Sequence, residues 1–377
     1  MQRVRQSKKE LTQVIKSKAK ELGFDLIGIA PVETIPETAH FAKWLGSNFQ
    51  GTMSYMKRQV ERRQDPKNII PEARSMICVA VNYYNQASKN GELAGEISKY
   101  AVGKDYHSVI LDKLENLCAF INEYADAKTK ICVDTSAVLE KLWAQKAGLG
   151  WQGKHSNIIN RDYNSWLFLG EIITDLELEI DPPHTENHCG TCTSCIDLCP
   201  TKAIVAPYVV DSRKCIAYLT IEHKGEIPKK LRLLMGNLIF GCDICQDVCP
   251  WNKFAKVSDE AAFMPQGEAL TPYLARFADI SSDEEFNARF RNSPIKRAKR
   301  SGFLRNVAIA LGNSKNPQAI TPLKKLLNDK ESLVRQHSAW AVGQIKISES
   351  LNILKERLSL ENEPVVKKEI EESIANF

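Results

Sequence analysis

Apolar residues recur along this chain with two periods, and each change of period marks a boundary. From Ser7 to Leu22 they return at helical spacing, with Leu11, Val14, Ile15 and Ala19 on one face, which predicts an amphipathic helix. Phe24–Ala30 is a short apolar run closed by Pro31 and predicts a strand. Ser75–Tyr83 predicts a second strand, and Ser108–Tyr124 a helix burying Ile110, Leu111, Leu114, Leu117 and Cys118. A strand over Thr129–Val133, a helix over Thr135–Ala147 and a strand over Trp166–Ile173 follow. Helices alternating with strands imply an α/β or α+β domain over residues 1–180. Asp181-Pro182-Pro183-His184 then reads as a linker.

Near the C-terminus the strand period disappears. Leu304–Gly312, Ile320–Leu327, Val334–Ile345 and Leu351–Leu358 all read as helices. A shift of 31 residues superposes Ala308 on Ala339, Ala310 on Ala341, Gly312 on Gly343, Leu323 on Leu354 and Leu327 on Leu358. A helical repeat of that length predicts about two stacked helix pairs of the HEAT type, with a third helix after Pro364. Such stacks present a surface to a macromolecule; the plainer reading is a stabilising cap.

Between these regions lies the densest chemistry. Eight of eleven cysteines fall in the order Cys189-x2-Cys192-x2-Cys195-x3-Cys199-Pro200, then Cys215, then Cys242-x2-Cys245-x3-Cys249-Pro250. The first run has the ligand spacing of a two-cluster bacterial ferredoxin, in which the cysteine before proline serves the other cluster. By that crossover Cys189, Cys192, Cys195 and Cys249 hold one [4Fe-4S] cluster, and Cys199, Cys215, Cys242 and Cys245 hold the other. The second set lacks a cysteine two residues before Cys242, so residues 216–241 form an insertion between its first and second ligands. Two Zn(Cys)4 sites would use the same number of cysteines. Cys78, Cys118 and Cys132 sit in apolar surroundings and are expected in the core.

Composition narrows the class. The chain has 377 residues, 43% of them hydrophobic and 26% charged, which suits two or three globular domains. Met1–Lys8 has no apolar leader and no run approaches 18 apolar residues, so a cytoplasmic protein without a membrane span is expected. The net charge of +5 is modest, but from Phe286 to Arg305 seven bases occur without one acid. Such a run neutralises phosphates or is simply a solvated helix entry.

Two segments carry further candidates. Asp134 ends a predicted apolar strand, where ligands meet protein in α/β domains, and would otherwise cap the next helix. Gly148–Asn157 is punctuated by glycine at 148, 150 and 153, which admits close approach to a bulky ligand but has neither dinucleotide nor P-loop spacing. Asp105-Tyr106-His107 resembles the start of the Asp-x-His-x-x-Gly box that ligates cobalt in many cobalamin enzymes. Ile110 replaces its glycine, so His107 is read as a polar residue at a helix start.

Taken together, the chain resembles the epoxyqueuosine reductases over essentially its full length. The resemblance is carried by Gly51–Met56, Tyr100–His107, Val133-Asp134-Thr135, Gly150-Trp151-Gln152-Gly153-Lys154, the cysteine array, Cys215–Thr220 and Arg305-Asn306-Val307-Ala308. It implies a multidomain α+β protein in three parts. These are an α/β cobalamin-binding domain (1–180), a bacterial two-[4Fe-4S] ferredoxin-like domain (181–260) and a HEAT-like helical-repeat domain (261–377) that binds tRNA. It further implies base-off cobalamin fed by both clusters, reduction of epoxyqueuosine to queuosine at the wobble position of a tRNA anticodon, an external low-potential electron donor, and a monomer. By the same resemblance Asp134 is the proton donor, which calls for a raised pKa. Lys57, Ser98, Asp134, Ile158, Leu169, Ala217, Cys242 and Asp243 are implied cofactor contacts. Lys224, Lys296, Arg297, Lys299, Arg300 and Arg305 are implied tRNA contacts. A cobalamin-dependent reductive dehalogenase of small organohalides is the alternative, and a docked electron carrier and a zinc-stabilised RNA-binding module are the remaining readings.

Overall fold

A computed structural model describes residues 7–86, 91–269 and 272–377; Met1–Gln6, on which most of the leader reading rests, lie outside it. Ser7 starts helix α1 (Lys8–Glu21) with a capping box. Its hydroxyl accepts from Glu10 N and the Glu10 carboxylate accepts from Ser7 N, an arrangement worth about 1 kcal/mol. Strand β1 (Leu26–Pro31), strand β2 (Ser75–Asn82), helix α2 (Tyr106–Tyr124), strand β3 (Thr129–Cys132), helix α3 (Glu140–Lys146) and strand β4 (Leu167–Thr174) complete the first region. The sheet order is β1-β2-β4-β3 and all three ladders are antiparallel, so of the two layouts the alternation allowed this is the α+β one.

Every residue of β2 is buried, because both faces of this strand are covered. Ile77, Val79 and Val81 pack with Ile15, Ala19, Ile110 and Leu114. Met76, Cys78 and Ala80 pack with Cys132, Trp143 and Ala144 on the other side. Cys78, Cys118 and Cys132 are core residues, as the sequence implies. Leu111, expected inside, is 39% exposed; one residue past Ile110 it has turned about 100° away from the sheet. Helix α3 starts at Glu140 rather than Thr135. Asp134 is in the left-handed region (φ +47°), which breaks helical continuity, so Leu139 and not Asp134 is the N-cap.

The cysteine region contains two short helices, Ser194–Asp197 and Ile244–Asp247, each wrapped by cysteines. The segment 216–241 does not stay with it. Helix α4 (Ile216–Ile221) and the strand Leu238–Phe240 bury Ile216, Leu219, Ile239 and Phe240 in the same core as the C-terminal helices. Those helices are α5 (Lys299–Ser314), α6 (Ile320–Leu326), α7 (Ser332–Gln344), α8 (Ser348–Leu360) and α9 (Pro364–Ala375). The 31-residue periodicity has a packing cause. A Cβ on Gly312 would lie 2.7 Å from Ala341 Cα, and one on Gly343 would lie 2.9 Å from Ser373 Cβ, so each repeat uses glycine where the next helix crosses closely. No helix among the described residues is long and apolar enough to cross a membrane.

Candidate active site and redox centre

Asp134 follows β3 directly, and the strand aims it at the start of α2. There Asp105 caps the helix by accepting from His107 N (3.1 Å). The His107 ring lies between two carboxylates, with Nδ1 2.7 Å from Asp105 Oδ1 and Nε2 3.1 Å from Asp134 Oδ2. Burial alone would lower its pKa, but hydrogen bonds and charge from Asp105 and Asp134 raise it to about 9. His107 is therefore an imidazolium at neutral pH and donates from both nitrogens. The ring stacks on Tyr106 (4.1 Å), which stacks on Phe168 (4.2 Å), fixing its plane.

The raised pKa expected of Asp134 is not what the structure shows. Burial pushes its carboxyl up, but His107, Arg297 and the Tyr106 hydroxyl together hold it below the usual carboxylate value. The proton sits on His107. Asp134 is 46% accessible by its side chain, yet desolvation is the largest single influence on it. Lys141 has the same character, being exposed in surface terms while burial lowers its pKa. It feels Glu140, Cys245, Asp134 and Cys215 together. Lys141 thus lies within electrostatic reach of both the acid cluster and the second cysteine set.

The eight cysteines fall into two groups by proximity. Cys245 is pushed well above the usual thiol value, by burial first and then by Cys215, Cys242 and Cys199. Cys242 is pushed up to about 12, by burial first, with Cys215 and Cys199 adding to it. Cys249 is pushed up to about 11, by burial first and then by Cys189, Cys195 and Cys192. These are the two sets the crossover rule expects. None of the eight is paired with another in a disulfide in this structure. No three His, Cys, Asp or Glu side chains among the described residues converge closely enough for a lone metal ion. The glycine-punctuated loop braces the first set, since Lys154 Nζ donates to Gly190 O and Cys192 O, both at 2.7 Å.

The other sequence candidates divide. Ser98 and Asp243 meet, but in each other's service. Ser98 Oγ and Lys99 N both donate to the Asp243 carboxylate, and both side chains are 4% exposed, so each has only backbone to offer a ligand. Ile158 is buried beside Trp143, and Leu169 is half-buried against the same core. Ala217 is half-buried two residues after Cys215, while Lys57 is exposed with Nζ 3.4 Å from Asn48 Oδ1. Lys296, Arg297 and Lys299 are exposed. Arg297 pairs with Glu222 (2.6 Å) and lies over the Tyr55 ring (5.8 Å). Lys224 Nζ donates to Ile221 O and Arg297 O, and burial among cations lowers it to about 8.

Two implied tRNA contacts are corrected. Arg300 is 2% exposed, donates to Ile280 O and is paired with Asp329. Arg305 is fully buried and donates to Leu219 O, His223 O, Gly225 O and Asn306 Oδ1. Both guanidiniums are consumed in holding α5 to its neighbours, and neither is available to a phosphate. Sequence reasoning also missed Tyr106, Glu140, Glu171 and the pairing of His107 with Asp134. The Asp105-x-His107 pair was the one visible signal.

An antiparallel α+β domain, a double-cysteine module and a helical stack define an iron–sulfur oxidoreductase. Residues 188–252 match the family model of the 4Fe-4S double cluster binding domain, which sets aside the zinc reading, and residues 299–375 match that of HEAT repeats. Residues 63–135 match the model described as epoxyqueuosine reductase QueG, DUF1730. The epoxyqueuosine reductase of Xanthomonas campestris is 41% identical over 88% of this chain and 95% of its own length; that of Escherichia coli is 39% identical over 89% of each. The chain belongs to the epoxyqueuosine reductase family.

Among solved structures, an epoxyqueuosine reductase with an epoxyqueuosine-modified tRNA-Tyr stem loop superposes with a TM-score of 0.91, at 31% identity, over 97% of this chain and 98% of that one. The Bacillus subtilis enzyme, with its catalytic aspartate loop swung out of the active site, gives a TM-score of 0.89 at 30% identity, over 98% and 99%.

Proposed function

We propose that this protein reduces epoxyqueuosine to queuosine in the anticodon of tRNA, using two [4Fe-4S] clusters and base-off cobalamin. The observation that supports the reading is the Asp105–His107–Asp134 cluster, with Arg297 within electrostatic reach of Asp134 and Lys141 within reach of Asp134, Cys215 and Cys245 together. Family membership supports it, and so does the tRNA stem loop held by a relative of the same fold over 97% of this chain. The curated relatives at about 40% identity favour this reading over the reductive dehalogenase alternative.

The reaction removes the epoxide oxygen with two electrons and two protons and releases it as water. The Cys189, Cys192, Cys195 and Cys249 set would hold one cluster and the Cys199, Cys215, Cys242 and Cys245 set the other, and the pair would supply electrons from an external low-potential donor. Cobalamin, when bound, supplies a metal centre that delivers electrons to the substrate carbon–oxygen bond. Ile158, Leu169, Ala217, Lys57 and the backbone of Ser98 and of the Cys242-Asp243 turn are the groups that would hold it.

The chain's own chemistry is proton delivery. His107 holds the proton at Nε2, and Asp134 Oδ2 accepts that hydrogen bond. As charge develops on the departing oxygen, the His107 Nε2 proton passes to Asp134 Oδ2 and on to that oxygen, and solvent reprotonates His107 and supplies the second proton. Lys224, Lys296, Arg297 and Lys299 hold the anticodon phosphates over the site. The setting is the cytoplasm and the active unit a monomer. Asp134→Asn is expected to keep both clusters and cobalamin bound and to abolish turnover. Full activity in that variant, measured under anaerobic single-turnover conditions, refutes the role.

A further inference from the structure

The loop carrying Asp134 is fixed at two points, and only one of them belongs to the proton chemistry. Residues between Cys132 and Glu140 form no helix or strand, and Asp134 sits in the left-handed region, which an aspartate tolerates at some cost. Its carboxylate is engaged by His107. Its backbone N–H donates to the carboxylate of Glu140, the first residue of α3. Behind them lies Glu171 on β4, opposite Cys78 and Cys132 in register and 0% exposed. Neither of its carboxyl oxygens has a hydrogen-bond partner.

A buried carboxyl without partners calls for an explanation. Burial, and then the charge of Glu140, push the Glu171 pKa well above the ordinary value, so the group is neutral. Were it ionised, it would repel the Glu140 carboxylate from its station at Asp134 N. The groups facing Glu140 are Asp134, Lys141, His107 and Glu171, and burial first and then the Asp134 charge raise Glu140 itself to about 7. Glu140 touches the Asp134 backbone amide and not its carboxylate, so it has no direct route for passing a proton to the site.

We propose that Glu140 is a positioning residue that anchors the Asp134 loop by accepting the Asp134 amide. Glu171 is the uncharged acid behind it that permits this. The proposal rests on the reading of Asp134 as the proton donor, and the two fail separately in the following experiment. Hydrogen exchange of the anaerobic holoprotein is followed for residues 133–139, with residues 75–82 of the central strand as a folding control, alongside turnover of epoxyqueuosine-containing tRNA.

Glu140→Ala is expected to speed exchange of the loop at least about tenfold and to lower kcat roughly a hundredfold with KM little changed, the usual cost of a misplaced catalytic group. Glu140→Gln keeps an acceptor oxygen, so loop protection is expected to survive and kcat to stay within about tenfold of the parent. Glu171→Gln, a neutral isostere, is expected to leave loop protection at the parent level. Unchanged loop exchange in Glu140→Ala overturns the proposal. So does a Glu140→Gln variant as slow as Glu140→Ala with its loop still protected, since that marks a proton carrier. If the parent holoprotein fails to turn over the tRNA while Glu140→Ala still loosens the loop, the functional reading falls and the anchor stands.

Discussion

Replacing His107 by Gln tests the electrostatics of the site most severely. The ring's pKa is raised from 6.5 to about 9 because, once folded, the imidazolium bridges Asp105 and Asp134. At 1.36 kcal/mol for each pKa unit, that shift corresponds to an upper bound of roughly 3 kcal/mol. The His107 side chain is 32% accessible, so solvent screening brings the expected figure to about 1–2 kcal/mol. A raised histidine pKa stabilises fully below the unfolded value of about 6.5 and loses its effect as pH climbs through about 9. Thermal midpoints of anaerobic holoprotein should therefore differ by a few degrees at pH 6, with the parent more stable, and converge near pH 10. In an Asp134→Asn background the same substitution should cost less, because half of the bridge is already gone. A gap between parent and His107→Gln that is constant with pH, or widens as pH rises, refutes the imidazolium assignment.

Cys215→Ala removes one thiolate from the second set, so iron in purified protein should fall from about eight to about four per chain. An unchanged iron content would mean the insertion cysteine is not a ligand. Converting Lys296, Arg297 and Lys299 to alanine should weaken tRNA binding and flatten its salt dependence by roughly 2 in logarithmic slope. An unaltered slope would place the RNA elsewhere. Arg305→Ala should behave in the opposite way. It leaves the carbonyls of Leu219, His223 and Gly225 without their donor and should cost about 3 kcal/mol or more of stability while leaving the salt slope alone.

Much of the architecture could be read in the chain because it depends on local repetition. The spacing of Ile15, Ala19, Ile110 and Leu114 dictates which helix faces meet the sheet, and the glycines at 312 and 343 mark the closest helix crossings. The grouping of the cysteines was also legible, since ligand spacing is itself a geometric statement. What escaped depends on partners far apart in sequence. Arg305 looked like part of a basic surface because its acceptors, Leu219, His223 and Gly225, lie 80 to 86 residues away on α4 and just beyond it. His107 and Asp134 are 27 residues apart and meet only because α2 and β3 end at the same edge, which also reverses the expected direction of the Asp134 pKa. Glu171 occupies a strand position that pattern alone assigns to an apolar residue.

The most direct test is a single anaerobic turnover. Holoprotein carrying iron, sulfide and cobalamin is reduced, mixed with tRNA containing epoxyqueuosine, and the anticodon nucleoside is weighed by mass spectrometry. Loss of one oxygen atom from the nucleoside, in step with the oxidation of the clusters, is the predicted result. An unaltered nucleoside, from protein shown to be fully loaded, reduced and bound to the tRNA, would contradict it.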